Sequence, residues 1–227
     1  MSKQAAIIYG PNGAGKGTQA NLLAWKKGFI HFDTGKYLEQ FVHEPKNQND
    51  PVVQEERKNF DTGLLCSPPF VLKLVREKTQ EVSRAGFGIV YSGSPRTIYE
   101  AFGDGQTEGL IATLEKEYGK ANIKPFFLEI DPKESIKRNK VRLVCSKCRT
   151  GVMYVEGERH TMCPICGGPL EQRTVDKPEV LETRIKEYTE RTLPILKGLE
   201  GRGYKIIKID ATPLPYKVHE EILRHIS

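Results

Sequence analysis

A glycine-rich segment near the N-terminus carries the residue types that bind nucleotide phosphates. It runs Gly10-Pro-Asn-Gly-Ala-Gly-Lys16-Gly17-Thr18, after a short apolar stretch and before a helical one. Glycines let successive backbone N–H groups approach phosphate oxygens, and the N-terminus of the following helix adds partial positive charge. Lys16 is placed to reach the β- and γ-phosphates of a nucleoside triphosphate. Because strand, spacing, lysine and helix occur in the order of a phosphate loop, a chance glycine-rich turn is the weaker interpretation.

Four of the five cysteines form two C-x-x-C pairs, namely Cys145, Cys148, Cys163 and Cys166. Two such knuckles supply the four thiolates of a tetrahedral zinc site. Four protein ligands leave no open coordination position, so the zinc would be structural and would fold a segment too small to have its own core. Two alternatives stay open: a pair of disulfides, and a nucleic-acid-binding zinc ribbon, which Lys147 and Arg149 support. Cys66 is left over and is interpreted as a small buried apolar residue.

The excess positive charge lies in one stretch of the chain. The 227 residues carry a formal net charge of +6, and residues 133–149 hold seven basic residues and one acidic residue, so the rest of the chain is neutral. This distribution disfavours a protein that coats nucleic acid and favours a local site for an anion. No apolar run approaches the roughly 20 residues of a membrane span, and the apolar run at the N-terminus is too short for a signal peptide. We therefore expect a cytoplasmic protein with no membrane or nucleic-acid partner.

Short apolar strands alternate with amphipathic helices along the chain. The expected strands are Ala5–Gly10, Phe29–Asp33, Phe87–Ser92, Pro125–Ile130 and Tyr204–Ile209. The expected helices are Gly15–Lys27, Pro68–Arg84, Leu110–Lys116, Pro132–Val141, Pro178–Leu199 and Tyr216–His225. The alternation predicts an α/β fold with a five-stranded parallel sheet flanked by helices. Residues 34–69, with short helical pieces and no strand, and residues 143–172, with the cysteines, read as insertions into that core.

Five motifs, in order, resemble those of the adenylate kinase family over nearly the whole chain. The loop with Gly17 after the lysine is similar to that family's G-x-P-G-x-G-K-G-T. Residues 31–39 resemble its S-T-G-D-x-L-R segment, with Thr34-Gly35 at the T-G, and residues 61–65 resemble its D-x-G-x-L/V segment. Residues 92–97 resemble its D-G-F-P-R-T, and residues 136–142 its hinge helix. Arg173 and Arg184 lie eleven positions apart, as do the arginines that follow the lid in that family.

The resemblance implies a P-loop nucleoside triphosphatase-type fold in three parts. These are a core of residues 1–33, 70–142 and 173–227, an inserted segment of residues 34–69 that binds a nucleoside monophosphate (NMP), and a zinc-binding lid of residues 143–172. It also implies reversible, Mg²⁺-dependent transfer of a phosphoryl group from ATP to an NMP, most simply AMP, by a monomer. Gly17 removes the hydroxyl that usually follows the lysine, so any Mg²⁺ would be held largely by phosphates and water.

Arginine suits this chemistry because the transfer brings several negative charges together and arginine presents a permanent, planar charge to phosphate oxygens. The resemblance implies as catalytic residues Lys16, Arg96, Arg142, Arg173 and Arg184. It implies as ATP-binding residues Gly10, Asn12, Gly13, Ala14, Gly15, Lys16, Gly17, Thr18, Arg138 and Arg142. It implies as NMP-binding residues Thr34, Gly35, Lys36, Leu65, Gly93, Arg96, Glu100, Arg173 and Arg184. In this scheme Arg138 contacts the donor nucleotide and Arg96 holds the α-phosphate of the acceptor.

Two departures from the family pattern concern metal and activity. Ser92 stands where the family has an Asp that orients magnesium-bound water, so weaker handling of magnesium is expected. Val175 replaces one carboxylate of a pair after the lid, of which Asp176 remains. These changes motivate one alternative, a nucleotide-binding regulator that keeps the fold and has little activity.

Two further departures concern the acceptor. Glu39 replaces an arginine that would hold the acceptor phosphate, while Lys36 replaces an Asp three residues earlier, so Lys36 either takes over that phosphate or faces solvent. Glu100 replaces a Gln that reads the adenine edge. An ionised carboxylate only accepts hydrogen bonds, which matches the two adjacent donors of guanine better than the donor and acceptor of adenine. A kinase with another acceptor base, such as GMP, is therefore the second alternative.

Overall fold

The computed structural model describes residues 3–152, 160–172 and 178–227, without the side chains of residues 178–182. Its strands are β1 Ala5–Tyr9, β2 Ile30–Phe32, β3 Ile89–Tyr91, β4 Ile123–Glu129, β5 Leu143–Cys145, β6 Gly151–Val152, β7 Leu170–Glu171 and β8 Ile207–Asp210. Its helices are α1 Lys16–Lys27, α2 Thr34–His43, α3 Pro51–Thr62, α4 Pro68–Arg84, α5 Ile98–Phe102, α6 Leu110–Tyr118, α7 Pro132–Val141, α8 Pro178–Glu187, α9 Pro194–Glu200 and α10 Pro215–Leu223. Single 3-10 turns lie at Pro45–Asn47 and Lys120–Asn122.

A parallel sheet of five strands forms the centre of the molecule, in the order β2-β3-β1-β4-β8. Side chains alternate between the two faces of a strand. In β1, Ala5, Ile7 and Tyr9 join a core that includes α4, α6 and α9, while Ala6 and Ile8 join a core that includes α1 and α10. The prediction of a five-stranded parallel sheet flanked by helices is therefore confirmed, and each expected strand is present with small differences at its ends.

The helix predictions over residues 178–199 and 34–69 need correction. The helical stretch expected over Pro178–Leu199 is present but is not one regular α-helix, because α8 passes into a π-helical turn at Tyr188–Thr192 and α9 begins at Pro194. Leu193 N–H bonds to the carbonyl of Tyr188, five residues earlier, and Pro194 has no N–H with which to continue the helix. Residues 34–69 contain two full helices, α2 and α3, where short pieces were expected.

A small antiparallel sheet carries the cysteine knuckles. Its order is β6-β5-β7, with Val144 of β5 opposite Gly151 of β6 and Glu171 of β7. The division of the chain into core, NMP-binding segment and lid stays a prediction. Within the described residues, no helix has both the length and the apolar composition needed to cross a bilayer.

Candidate active site

The phosphate loop lies between β1 and α1, at the carboxyl edge of the parallel sheet. There it forms one wall of a cleft of about 550 Å³. Clefts at this edge are where parallel α/β sheets usually bind ligands. The predicted residues that line the cleft are Gly10, Asn12, Gly13, Gly15, Lys16, Gly17, Thr18, Gly35, Lys36, Leu65, Gly93, Arg96, Arg142 and Arg184.

Some of the residues predicted to bind nucleotide do not line this cleft or are not described. Ala14 is buried in the core between the sheet and α1. Arg138 does not line the cleft: its guanidinium donates to Ala211 O and Thr212 O, at 2.9 Å each, and to Glu134 Oε1. Its contact with the donor nucleotide stays a prediction. Arg173, like the departures Val175 and Asp176, lies outside the described residues.

The phosphate loop is held in shape by its glycines and by α7. Gly13 has a φ of 86°, in the left-handed region that glycine adopts without strain. A Cβ on Gly13 would lie 2.7 Å from Ser135 O and 2.8 Å from Asn139 Nδ2, so a larger residue would push α7 away from the loop. Ser135 also donates its hydroxyl to Asn12 O. The loop and the helix that leads toward the cysteine knuckles are thus packed directly on each other.

Lys16 lies at the centre of a group of positive charges. Its Nζ donates to Gly10 O at 2.7 Å and to Pro11 O at 2.8 Å. Burial lowers the pKa of Lys16 well below its usual range, and repulsion from Arg96, Arg184 and Arg142 lowers it further, while the charge of Asp33 opposes the shift. Four cationic side chains that repel each other across one cleft are suited to a ligand with several negative charges, such as a polyphosphate.

Arg96 connects the cleft to a smaller pocket of about 40 Å³. Its Nε donates to Gly93 O at 2.7 Å, and its backbone carbonyl accepts a hydrogen bond from Thr192 in the π-helical turn. The first contact holds the guanidinium at the sheet edge, and the second holds the backbone of Arg96 against the chain after α8. π-Helical turns are frequent at functional sites, and this one contacts, through Thr192, an arginine that lines the cleft.

The smaller pocket contains the residues predicted to read the acceptor base. It is lined by Thr34, Gly35, Leu65, Gly93, Arg96 and Glu100, with apolar walls that include Leu38, Phe60 and Cys66. The Glu100 carboxylate accepts hydrogen bonds from Arg96 N–H at 2.8 Å and from the Thr97 hydroxyl at 3.2 Å. Burial raises the pKa of Glu100, while hydrogen bonding from Arg96 opposes the shift.

Cys66 is buried in the core, as the sequence predicted. Burial, reinforced by the nearby Glu56 carboxylate, raises the pKa of its thiol to about 12. Glu56 is itself buried and accepts hydrogen bonds from the backbone N–H and the hydroxyl of Ser67. It ties α3 to the start of α4 beside the small pocket, and no motif in the sequence pointed to it.

A chain of three polar side chains crosses the floor of the cleft. His31 Nδ1 lies 2.7 Å from Asn21 Oδ1, and His31 Nε2 lies 2.7 Å from Ser92 Oγ. Because the amide oxygen only accepts, Nδ1 carries the proton and the Ser92 hydroxyl donates to Nε2. Burial lowers the pKa of His31, which favours this neutral form. Sequence reasoning missed His31 and Asn21, since neither stands at a position where the motifs prescribe a functional side chain.

Glu39 makes an ion pair across the cleft. Its Oε1 lies 2.8 Å from Nη2 of Arg149, which follows the second cysteine of the first knuckle, and Arg149 also approaches Glu171 at 3.4 Å. The α2 helix and the cysteine segment are therefore in direct contact. Lys36 Nζ is half-exposed and lies 4.0 Å from Asp33 Oδ2. Its predicted role at the acceptor phosphate stays a prediction.

The four paired cysteines converge as the metal hypothesis requires. Their Sγ atoms all lie within 4.8 Å of one another, with 3.5 Å between Cys145 and Cys166 and 3.7 Å between Cys148 and Cys163. A tetrahedral zinc with Zn–S distances of about 2.3 Å separates its sulfur atoms by about 3.8 Å. Backbone N–H groups of residues 147, 148 and 165 point at the sulfur atoms, each at 3.4 Å. A Cβ on Gly168 would lie 2.9 Å from Cys145 Sγ, so the glycine leaves room for the sulfur atom. The donor set therefore fits zinc.

Comparison with known proteins identifies related chains. A family model described as an AAA domain matches residues 9–143. An adenylate kinase of Chlamydia pneumoniae is 31% identical over 220 residues, which cover 97% of this chain and 96% of the relative. An adenylate kinase of Caldicellulosiruptor bescii is 30% identical over 204 residues, covering 88% of this chain and 89% of the relative. An adenylate kinase of Chlamydia trachomatis serovar D is 31% identical over 233 aligned positions, covering 97% of this chain and 89% of the relative.

Proposed function

The chain belongs to the adenylate kinase family of nucleoside monophosphate kinases, and on that premise we propose that its reaction is ATP + AMP = 2 ADP, supported by Mg²⁺. The observation that carries the proposal is the convergence of Lys16, Arg96, Arg142 and Arg184 on one cleft that adjoins the pocket of Glu100. The proposed enzyme is a monomer of the cytoplasm. Size-exclusion chromatography with light scattering tests the oligomeric state.

The chain's residues act mainly by positioning and neutralising charge. Lys16 and the phosphate loop hold the donor phosphates, and Arg96 holds the acceptor phosphate at the mouth of the small pocket. Arg142 and Arg184 neutralise charge on the group in transit. The acceptor oxygen is already anionic, so the chain need not supply a general base. We propose that the contact of α2 with the cysteine segment, through Glu39 and Arg149, helps to exclude from the cleft the water that would otherwise take the phosphoryl group.

The oxygen donors of the cleft fit Mg²⁺, which accompanies ATP in kinases. Magnesium prefers oxygen ligands and retains several waters, so it needs few direct protein ligands. Asp33, Ser92 and Thr18 offer a carboxylate and two hydroxyls in the cleft. Bound with the phosphates, Mg²⁺ would neutralise charge that develops during the transfer.

We propose zinc as the metal of the cysteine cluster, with a structural role. The closed set of four sulfur atoms supports this proposal, because a catalytic zinc would keep a position for water. Metal analysis of the purified protein should find about one zinc per chain. Protein without metal and with all four thiols oxidised would reject the proposal in favour of disulfides.

GMP is a second candidate for the acceptor, because Glu100, which replaces the Gln of the family pattern, lines the small pocket. An ionised Glu100 would suit guanine, and a protonated one offers one donor and one acceptor, as the amide of Gln does, and would suit adenine. The test is ADP formation from ATP with AMP, GMP, CMP and UMP as separate acceptors. AMP should be used best; a preference for GMP would select the second candidate, and no ADP with any acceptor would reject the proposed function altogether.

A further inference from the structure

The carboxylate and the hydroxyl at the edge of the sheet are exchanged relative to the family pattern. Strands β2 and β3 are parallel neighbours, with Phe32 opposite Tyr91. The next residues along each strand, Asp33 and Ser92, therefore lie side by side where the two strands enter the cleft, and both line it. In the family motifs quoted above, Ser stands at the position of Asp33 and Asp at the position of Ser92. This chain therefore also has one carboxylate and one hydroxyl at the edge, but the carboxylate follows β2 and the hydroxyl follows β3.

We propose that Asp33 is the residue that positions the magnesium-bound water in this chain, in place of the carboxylate that is missing at Ser92. The inference rests on one part of the proposed function, namely that Mg²⁺ enters the cleft together with ATP. It makes Asp33 a positioning residue that acts on the metal through water.

The location of Asp33 meets the electrostatic requirement for such a role. Its charge acts on Lys16 and on His31, raising the pKa of both against the effect of burial, so the carboxylate lies close to the phosphate loop. Asp33 Oδ1 accepts the backbone N–H of Lys36 at 3.2 Å and caps α2. A carboxylate has roughly four lone-pair positions, so this cap leaves acceptor capacity for water. The Lys36 ammonium, 4.0 Å away and half-exposed, is a weak competitor.

The other acidic residues of the cleft are more strongly engaged. Among the described residues that line it, Glu39 pairs with Arg149 at 2.8 Å and Glu187 pairs with Arg191 at 3.0 Å. Glu100, in the small pocket, accepts from Arg96 N–H and from the Thr97 hydroxyl. Of the acidic residues that line the cleft, Asp33 therefore has the longest contact with a cationic side chain, and its charge raises the pKa of the phosphate-loop lysine.

Ser92 is poorly suited to the same task. Its hydroxyl proton is directed to His31 Nε2, and His31 is in turn fixed by Asn21. The hydroxyl can still accept a hydrogen bond from water, but it brings no negative charge. Gly17 supplies no hydroxyl either, so any negative charge that the chain adds to that of the ATP phosphates has to come from another residue at this edge.

The test measures how much Mg²⁺ strengthens ATP binding, independently of turnover. Calorimetry gives the ATP dissociation constant of the full chain with excess Mg²⁺ and again with EDTA. In Asp33→Asn we expect the gain from Mg²⁺ to fall about tenfold, as for other residues that orient metal-bound groups, with binding in EDTA unchanged or tighter. Asn is a good N-cap, so α2 should keep its start. Asp50→Asn is the matched control, because Asp50 caps α3 through Val52 N–H and does not line the cleft.

Relocation of the carboxylate distinguishes a metal role from a structural one. Asp33→Asn combined with Ser92→Asp should recover most of the gain from Mg²⁺, whereas a structural defect at Asp33 would persist. An unchanged gain in Asp33→Asn, a loss of equal size in Asp50→Asn, or no recovery in the double variant would overturn the inference. Absence of ADP formation by the wild-type chain would reject the proposed function without deciding this comparison, which needs only binding.

Discussion

The ion pair between Glu39 and Arg149 should favour the state in which the cysteine segment contacts α2. The two side chains are 34% and 42% exposed and lie 2.8 Å apart. Exposed pairs of this kind contribute about 0.2–1 kcal/mol, which corresponds to a factor of about 1.4 to 5 in an equilibrium constant. Replacing Arg149 by Gln should therefore weaken the contact by that factor. Arg149 has a φ of 57°, which glycine adopts without strain, so a glycine at this position would also relieve backbone strain and is unsuitable as the test variant.

The assay is a double-mutant cycle on nucleotide affinity. ATP and AMP dissociation constants are measured for wild type, Glu39→Gln, Arg149→Gln and the double variant, at low salt and at about 0.5 M salt. Each single substitution should weaken the binding of both ATP and AMP. The effect of the double variant should be smaller than the sum of the two single effects, and this difference should shrink at high salt. The reversed pair Glu39→Arg with Arg149→Glu should recover part of the loss. Additive effects that do not change with salt would show that Glu39 and Arg149 are not coupled as an ion pair.

Three further predictions concern the metal, the acceptor base and the phosphate loop. Removing zinc with a chelator under reducing conditions should lower the melting temperature and ADP formation together, and re-addition of zinc should restore both; unchanged melting would contradict a structural zinc. Burial raises the pKa of Glu100, so its carboxyl should stay protonated to a higher pH than an exposed Glu and should then ionise as the pH rises further. Because the protonated form suits adenine and the ionised form suits guanine, the ratio of AMP to GMP turnover should fall with increasing pH. In Glu100→Gln the ratio should stay constant, and a parallel fall there would rule out Glu100 as the cause. Replacing Lys16 by Met should reduce ADP formation at least about 100-fold; a smaller loss in a folded variant would remove Lys16 from the mechanism.

The sequence was sufficient to predict the core of the fold. Short apolar strands separated by helices have few arrangements other than a parallel sheet covered on both faces, and the structure has that sheet. The break after α8 was missed because residues 178–199 keep a helical pattern of apolar residues on both sides of Pro194. The π-helical turn is stabilised by tertiary contacts such as that of Thr192 with Arg96 O, which a local pattern does not contain.

The parts of the candidate site that consist of short sequence motifs were easier to predict than the parts that join residues distant in sequence. The phosphate loop and the cysteine pairs are contiguous motifs whose spacing determines their geometry, and both are formed as expected. The chain Asn21–His31–Ser92 and the pair Glu39–Arg149 join residues that are distant in sequence, and their partners follow only from the packing of β2, β3, α1 and the cysteine segment. The exchange of Asp33 and Ser92 became interpretable only once the register of β2 and β3 placed the two residues side by side.

The cleft is proposed to transfer a phosphoryl group between two nucleotides. The most direct measurement is ADP formation from ATP with and without AMP, followed by a coupled assay or by ³¹P NMR. Two ADP should form for each ATP consumed, with strict dependence on AMP and little ADP from ATP alone. Binding of ATP with no acceptor-dependent ADP above background would contradict the proposal, and so would ADP and free phosphate formed at the same rate without any acceptor.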